Sequence, residues 1–101
     1  MMIGGVNRSY IVYAPSGLPE NPALILSVHG MNQTNTWMRS ASKWDDVADT
    51  AKEKFVVVYP QSDGSRWDLR AGGNDVKFML AIIDTMSTAI RSLKRDFRWV
   101  A

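Results

Sequence analysis

The chain has 101 residues, 46% hydrophobic and 22% charged, with a formal net charge of +2. That suffices for one small domain with a single core, and the charge is too even for the dense basic stripe of a nucleic-acid-binding module. With no cysteine there is neither a disulfide framework nor a thiolate metal site, and no apolar run approaches the ~20 residues that cross a bilayer.

The first residues, Met1 to Val6, lack a basic stretch followed by a long apolar one and do not read as a signal peptide. Arg8-Ser9-Tyr10-Ile11-Val12-Tyr13 is rich in β-branched and aromatic residues, stops near Pro15, and is predicted to be a strand. Ser16 to Pro22 is turn chemistry throughout. Ala23 to Val28 is almost continuously apolar, as expected of a strand buried on both faces in the centre of a parallel sheet.

Asn32 to Ser40 is predicted to be a polar connection, followed by a helix capped by Ser42 with Asp45 three residues on. Trp44, Val47, Ala48 and Ala51 would form its buried face, leaving Asp45, Asp46, Asp49, Lys52 and Glu53 to water. A solvated face is a better account of those three aspartates than a metal cluster. Phe55-Val56-Val57-Val58-Tyr59 is the strongest strand signal, ended by Pro60. Strand, helix and strand make a βαβ unit, so 23–28 and 55–59 should run parallel with a right-handed crossover.

Gln61 to Gly73 is a loop long enough to carry function. Asn74 or Asp75 can cap the next helix, whose core face is predicted to hold Met79, Ile82, Ile83, Met86 and Ile90, with Asp84 on the surface. Arg91, Lys94, Arg95 and Arg98 read as a solvated basic surface, and Phe97 to Ala101 as the start of another strand. Alternating strands and helices indicate an α/β architecture, mostly parallel with flanking helices. Two helices cannot shield both faces of three or four strands, so the chain is expected to be part of a larger fold or to self-associate.

The most informative segment is the apolar run ending in His29-Gly30 and then Met31-Asn32-Gln33-Thr34. In α/β serine hydrolases such a turn lends a backbone N–H to the oxyanion hole. His29 is the single histidine, and there is no Gly-x-Ser-x-Gly. The general base of that fold comes last in chain order, so His29 is expected to order the loop rather than take a proton. Ser62 in Pro60-Gln61-Ser62-Asp63-Gly64 is a near miss to a nucleophile elbow, with proline where the first glycine should be. Trp67 could wall a substrate cleft or cap the core. Gly72-Gly73 lacks the spacing of a phosphate-binding loop.

Taken in order, Arg8 to Pro15, Leu26 to Thr34, Trp44 to Asp49 with Phe55 to Pro60, and Trp67-Asp68 with Asp75 to Asp84 resemble the N-terminal part of one esterase group. That group comprises polyhydroxybutyrate depolymerases, feruloyl esterases and acetyl xylan esterases (carbohydrate esterase family one and its neighbours). The resemblance implies that residues 1–101 are the N-terminal portion of a single α/β-hydrolase domain, stopping before the nucleophile elbow. It implies a serine carboxylic-ester hydrolase acting on acylated polysaccharide or polyester, with no cofactor, metal, nucleic acid or membrane partner, and it suggests secretion.

By the same resemblance the Met31 N–H is the oxyanion donor, with Gly30 and His29 shaping the turn, and Trp67 contacts substrate. Many relatives have cysteine where this chain has Met31, which is tolerable if only the backbone donates. Nucleophile, acid and base have no counterpart in these residues, so the isolated chain is expected to be inactive. Two other readings fit the strands and the His-Gly turn: a dienelactone hydrolase or peptidase relative, and a non-catalytic flavodoxin-like binding module that would unfold cooperatively as a monomer.

Overall fold

In the computed structural model, which describes residues 1–64 and 66–93, the chain opens with a hairpin of β1 (Met2–Ile3) and β2 (Val6–Asn7). Gly4 and Gly5 form its two-residue turn at φ +56° and +83°, the left-handed pair that matches strand twist and suits glycine. A Cβ on Gly4 would stand 2.6 Å from the Asn74 side chain, so this turn docks closely. The hairpin is absent from the sequence-based reading.

Four elements follow: β3 (Tyr10–Tyr13), β4 (Leu24–Leu26), α1 (Asn35–Ser42) and α2 (Trp44–Thr50). The chain then enters β5 (Val56–Pro60) and α3 (Asn74–Leu93). The sheet order is β3-β5-β4. β4 runs parallel to β5, pairing Leu24 with Val56 and Leu26 with Val58, as the βαβ pattern predicts. β3 pairs antiparallel to β5, Tyr10 opposite Pro60 and Tyr13 opposite Val57. The sheet of the described residues is therefore mixed rather than mostly parallel.

The expected central strand is also corrected. β5, not β4, lies between the other two, and all five of its residues are buried while Leu24, Ile25 and Leu26 are only half-buried. Alternation along β5 divides the core into two layers, because successive side chains of a strand point to opposite faces. Val56 and Val58 pack with Phe78, Ile82 and Met86 of α3, joined at the margin by Tyr10, Val12, Leu24 and Leu26. Val57 and Tyr59 pack on the opposite face with Ala48 of α2, joined by Ile11, Tyr13, Ile25 and Met38. The result is a helix–sheet–helix sandwich, a partial α/β fold. Each fully buried valine, phenylalanine or isoleucine contributes about 1.5–3 kcal/mol of transfer free energy.

The helices differ from expectation in detail. A helix lies where a polar connection was predicted. Thr34 caps α1, its hydroxyl accepting the Trp37 N–H at 3.1 Å, and the Gln61 side chain accepts the Asn35 N–H at 2.8 Å. Ser42 is the last residue of α1 rather than the cap of α2, and Lys43 separates the two helices at φ +60°. Val47, expected in the core, is exposed.

Asp45, expected in water, accepts hydrogen bonds from the Tyr59 hydroxyl and Arg39 Nε, both at 2.6 Å. Asp49 accepts one from the Tyr13 hydroxyl at 2.5 Å. The periodicity that assigned these residues to the wet face could not register tyrosines reaching them from the sheet. Burial first, then the Asp45 bond, raises the Tyr59 phenol far above its ordinary range. The Asp49 bond, then burial, pushes Tyr13 up to about 12.

On α3 the buried face is Phe78, Ile82 and Met86, while Ile83 is 42% exposed. The true stripe is rotated toward Phe78 because the helix axis follows the Val56–Val58 face of the sheet. The strand expected at 97–101 and the basic side chains from Arg91 onward lie outside what the structure describes.

Candidate functional site

Parallel strands deliver their following loops to the same edge of a sheet, where open α/β proteins bind ligands. Here β4 runs into His29–Gln33 and β5 into Gln61–Trp67, and the two segments are bound to each other at that edge. His29 is the joint. The residue is 2% exposed. Nε2 accepts the backbone N–H of Ser62 at 3.1 Å, which leaves Nδ1 to donate to the Gly30 carbonyl at 2.7 Å. Those two roles define the neutral imidazole with its proton on Nδ1.

The Trp67 indole N–H donates to the His29 carbonyl at 2.9 Å, and its ring packs on the imidazole with centroids 5.0 Å apart. Trp67 is half-buried and also joins the α3-side core. Both ring nitrogens of His29 are thus engaged within the fold. Ser62 is buried and its hydroxyl donates to the Gly64 carbonyl at 2.8 Å. The Ser62–His29 contact runs through a backbone N–H, which is not a nucleophile–base arrangement.

The turn itself is built differently from the sequence-based picture. Gly30 was expected to supply the tight backbone conformation, but Asn32 takes the left-handed one, at φ +60°. What Gly30 provides is room. A Cβ there would lie 2.9 Å from Gln33 Oε1, the atom that accepts the Gly30 N–H at 2.7 Å. Gln33 returns its own N–H to the Gly30 carbonyl at 3.2 Å.

With the Gly30 amide closed on Gln33, the next amide is that of Met31. It finds no acceptor among the described residues, and Met31 is 64% exposed. Trp37, one turn into α1, is 51% exposed. Sequence reasoning missed Gln33, Asn32 and Gln61. Gln33 follows Gly30 at the three-residue spacing of a side chain closing a turn, and an asparagine is the non-glycine residue best suited to a left-handed position.

The far end of the β5 loop is tied down separately. Asp75, in the first turn of α3, accepts Arg8 Nη2 at 2.7 Å and also the backbone N–H of Asp68. Arg8 and Asp75 side chains are 3% and 7% exposed. Asp68 is half-buried and paired with Arg70, whose side-chain hydrogen bonds hold its carboxyl down at about 2.

No family model and no solved structure matches the chain. Several curated relatives do. The bifunctional acetylxylan esterase/xylanase XynS20E of Neocallimastix patriciarum is 43% identical over 84 residues, covering 81% of this chain and 12% of that enzyme. Poly(3-hydroxyalkanoate) depolymerase C of Paucimonas lemoignei is 40% identical over 55 residues, 54% of this chain and 13% of the depolymerase. Acetylxylan esterase A of Emericella nidulans is 32% identical over 65 residues, 62% of this chain and 21% of the esterase. The chain thus spans between an eighth and a fifth of the length of these relatives. By sequence it is a relative of the acetylxylan esterase and polyhydroxyalkanoate depolymerase group, matched over part of its members' length.

Proposed function

We propose that this chain forms the oxyanion-side strand and turn of an α/β-hydrolase that cleaves carboxylic esters on acetylated polysaccharide or on polyester. The observation that carries the reading is the Met31 amide, which belongs to an exposed residue and is left without an acceptor among the described residues at the sheet edge where β4 and β5 deliver their loops. Acyl transfer needs preorganised donors aimed at the oxygen that becomes negative in the tetrahedral intermediate. A backbone N–H suits this role, because it is held by its own turn and undergoes little reorganisation when charge develops. The rigid support of that turn by Gln33, His29 and Trp67 favours the assignment.

The names of the relatives support the substrate class. The Neocallimastix protein carries both an esterase and a xylanase name, whereas the Emericella protein is named only as an acetylxylan esterase and the Paucimonas protein only as a poly(3-hydroxyalkanoate) depolymerase, a polyester-cleaving name. The shared segment therefore belongs with ester cleavage. In the reaction a serine hydroxyl attacks the acyl carbonyl, a histidine takes its proton, and the alcohol leaves as the acyl-enzyme forms; water then releases the acid. The serine, histidine and acid of this scheme have no counterpart among these 101 residues, since no Gly-x-Ser-x-Gly occurs and His29 is engaged within the fold. Trp67, half-exposed beside the turn, would form one wall of the acyl cleft.

Two measurements test this. The chain alone should not hydrolyse nitrophenyl acetate above background. A chimera in which these residues replace the matched segment of the Neocallimastix enzyme should release acetate from acetylxylan. In that chimera Met31→Pro, which deletes the N–H, should lower kcat about 10²–10³-fold, and Met31→Ala, which keeps it, should not. Equal activity of the two variants would refute the oxyanion role.

A further inference from the structure

We infer that the buried pair Arg8–Asp75 is a positioning device for the Met31 amide, acting through Trp67, Ser62 and His29. The inference rests on the proposed oxyanion role for its catalytic meaning, but the coupling itself is a property of the fold. A buried ion pair is poor evidence of stability, because desolvating two charges offsets most of their attraction and apolar residues of equal volume would hold the layers together as well. The particular atoms this pair grips therefore carry more information than its charge.

Arg8 Nη2 donates to the Gln61 carbonyl at 3.2 Å as well as to Asp75 Oδ1. Asp75 Oδ2 accepts the Asp68 N–H. Gln61 immediately precedes Ser62, and Asp68 immediately follows Trp67. The pair thus clamps both ends of the segment whose Ser62 N–H and Trp67 indole hold the two sides of His29. His29 in turn holds the Gly30 carbonyl, the peptide group that carries the Met31 N–H.

The guanidinium lies 4.3 Å from the centroid of the buried Phe78 ring, which anchors the clamp to the core of α3. A carboxylate is needed at position 75, because both of its oxygens must accept. At position 8 the two hydrogens of one nitrogen, Nη2, reach the carboxylate and the carbonyl together while the planar guanidinium lies against the Phe78 ring, a combination that suits arginine. The separations of 67 residues between Arg8 and Asp75 and 53 between Arg8 and Gln61 make this a purely tertiary device.

The test is NMR on the isotope-labelled 101-residue chain. Asp75→Asn keeps the shape and removes one acceptor oxygen. It should speed exchange of the Trp67 indole N–H on the order of tenfold and shift the Gly30 and Met31 amides, while amides of Ala48 and Val57 on the opposite face stay in place. In a Trp67→Phe background, which keeps a ring but loses the indole N–H, the shift that Asp75→Asn causes at Met31 should fall by at least half.

Arg8→Lys, which keeps the charge but loses the planar guanidinium against Phe78, covers the case in which Asp75→Asn fails to fold. It should move Ser62 and Met31. An unchanged Met31 amide in folded Asp75→Asn or Arg8→Lys protein, or an undiminished shift in the Trp67→Phe background, would overturn the inference. None of these readouts needs turnover, so their failure is distinct from failure of the chimera assay.

Discussion

Replacing Asp45 and Asp46 by alanine, one at a time, separates what a helix face dictates from what the sheet beneath it adds. Both residues lie in the first turn of α2, where each carboxylate interacts with the helix dipole by about 0.3–1 kcal/mol. Both substitutions forfeit that, and both gain alanine's helix propensity, so these effects cancel in the comparison. Only Asp45 accepts the Tyr59 hydroxyl and Arg39 Nε. Tyr59 is fully buried, and losing the hydrogen bond to its charged acceptor costs about 1–3 kcal/mol. The Arg39 side chain is 36% exposed, so that ion pair is screened and adds at most about 1 kcal/mol.

Asp45→Ala should therefore be about 1–4 kcal/mol less stable than Asp46→Ala. Urea titration followed by tryptophan fluorescence measures this, since Trp44 packs edge-on to Phe55 at the end of the same helix. Completing a cycle with Tyr59→Phe should give a coupling of about 1 kcal/mol or more. Equal midpoints for the two aspartate variants at equal m-value, or a strictly additive cycle, would refute the reasoning and return Asp45 to the solvated face.

Alkali should weaken the fold in a defined window. Folding raises the Tyr13 phenol to about 12, so its contribution is complete below the ordinary phenol range near pH 10 and is lost as pH rises through about 12, because the unfolded chain releases its proton first. The Tyr59 shift carries the loss further in the same direction. Urea midpoints at about pH 9 and about pH 11.5 should show the decline, and Tyr13→Phe should flatten part of it. On α3, Phe78→Ala should cost about 3–5 kcal/mol, a large share of the stability of a domain of this size, whereas Ile83→Ala should change stability by less than about 0.5 kcal/mol. Thermal melts of the two would expose an error if their order were reversed.

The local chemistry of this protein was readable from its residues. β-branched runs marked β3 and β5, the strand–helix–strand spacing predicted the parallel pairing of β4 with β5, and the resemblance to esterases rested on short segments such as His29-Gly30. These are short-range properties, set by backbone preference and by side-chain period within a dozen residues.

Tertiary structure decided what periodicity leaves open. An apolar run says that a strand is buried but not where it sits in the sheet, so β4 was expected at the centre that β5 occupies. A helical stripe has a phase that neighbours set, hence Phe78 inside and Ile83 out. α1 buries no residue fully and is started by Thr34 and by Gln61 from another loop, and its own run Asn35–Ser42 is mostly polar, so it reads as a connection. The Arg8–Asp75 clamp and the Tyr59–Asp45 bond join residues 67 and 14 positions apart. Such polar partners are chosen by where the layers meet, because a buried donor or acceptor must be satisfied by whatever the packed fold brings within reach.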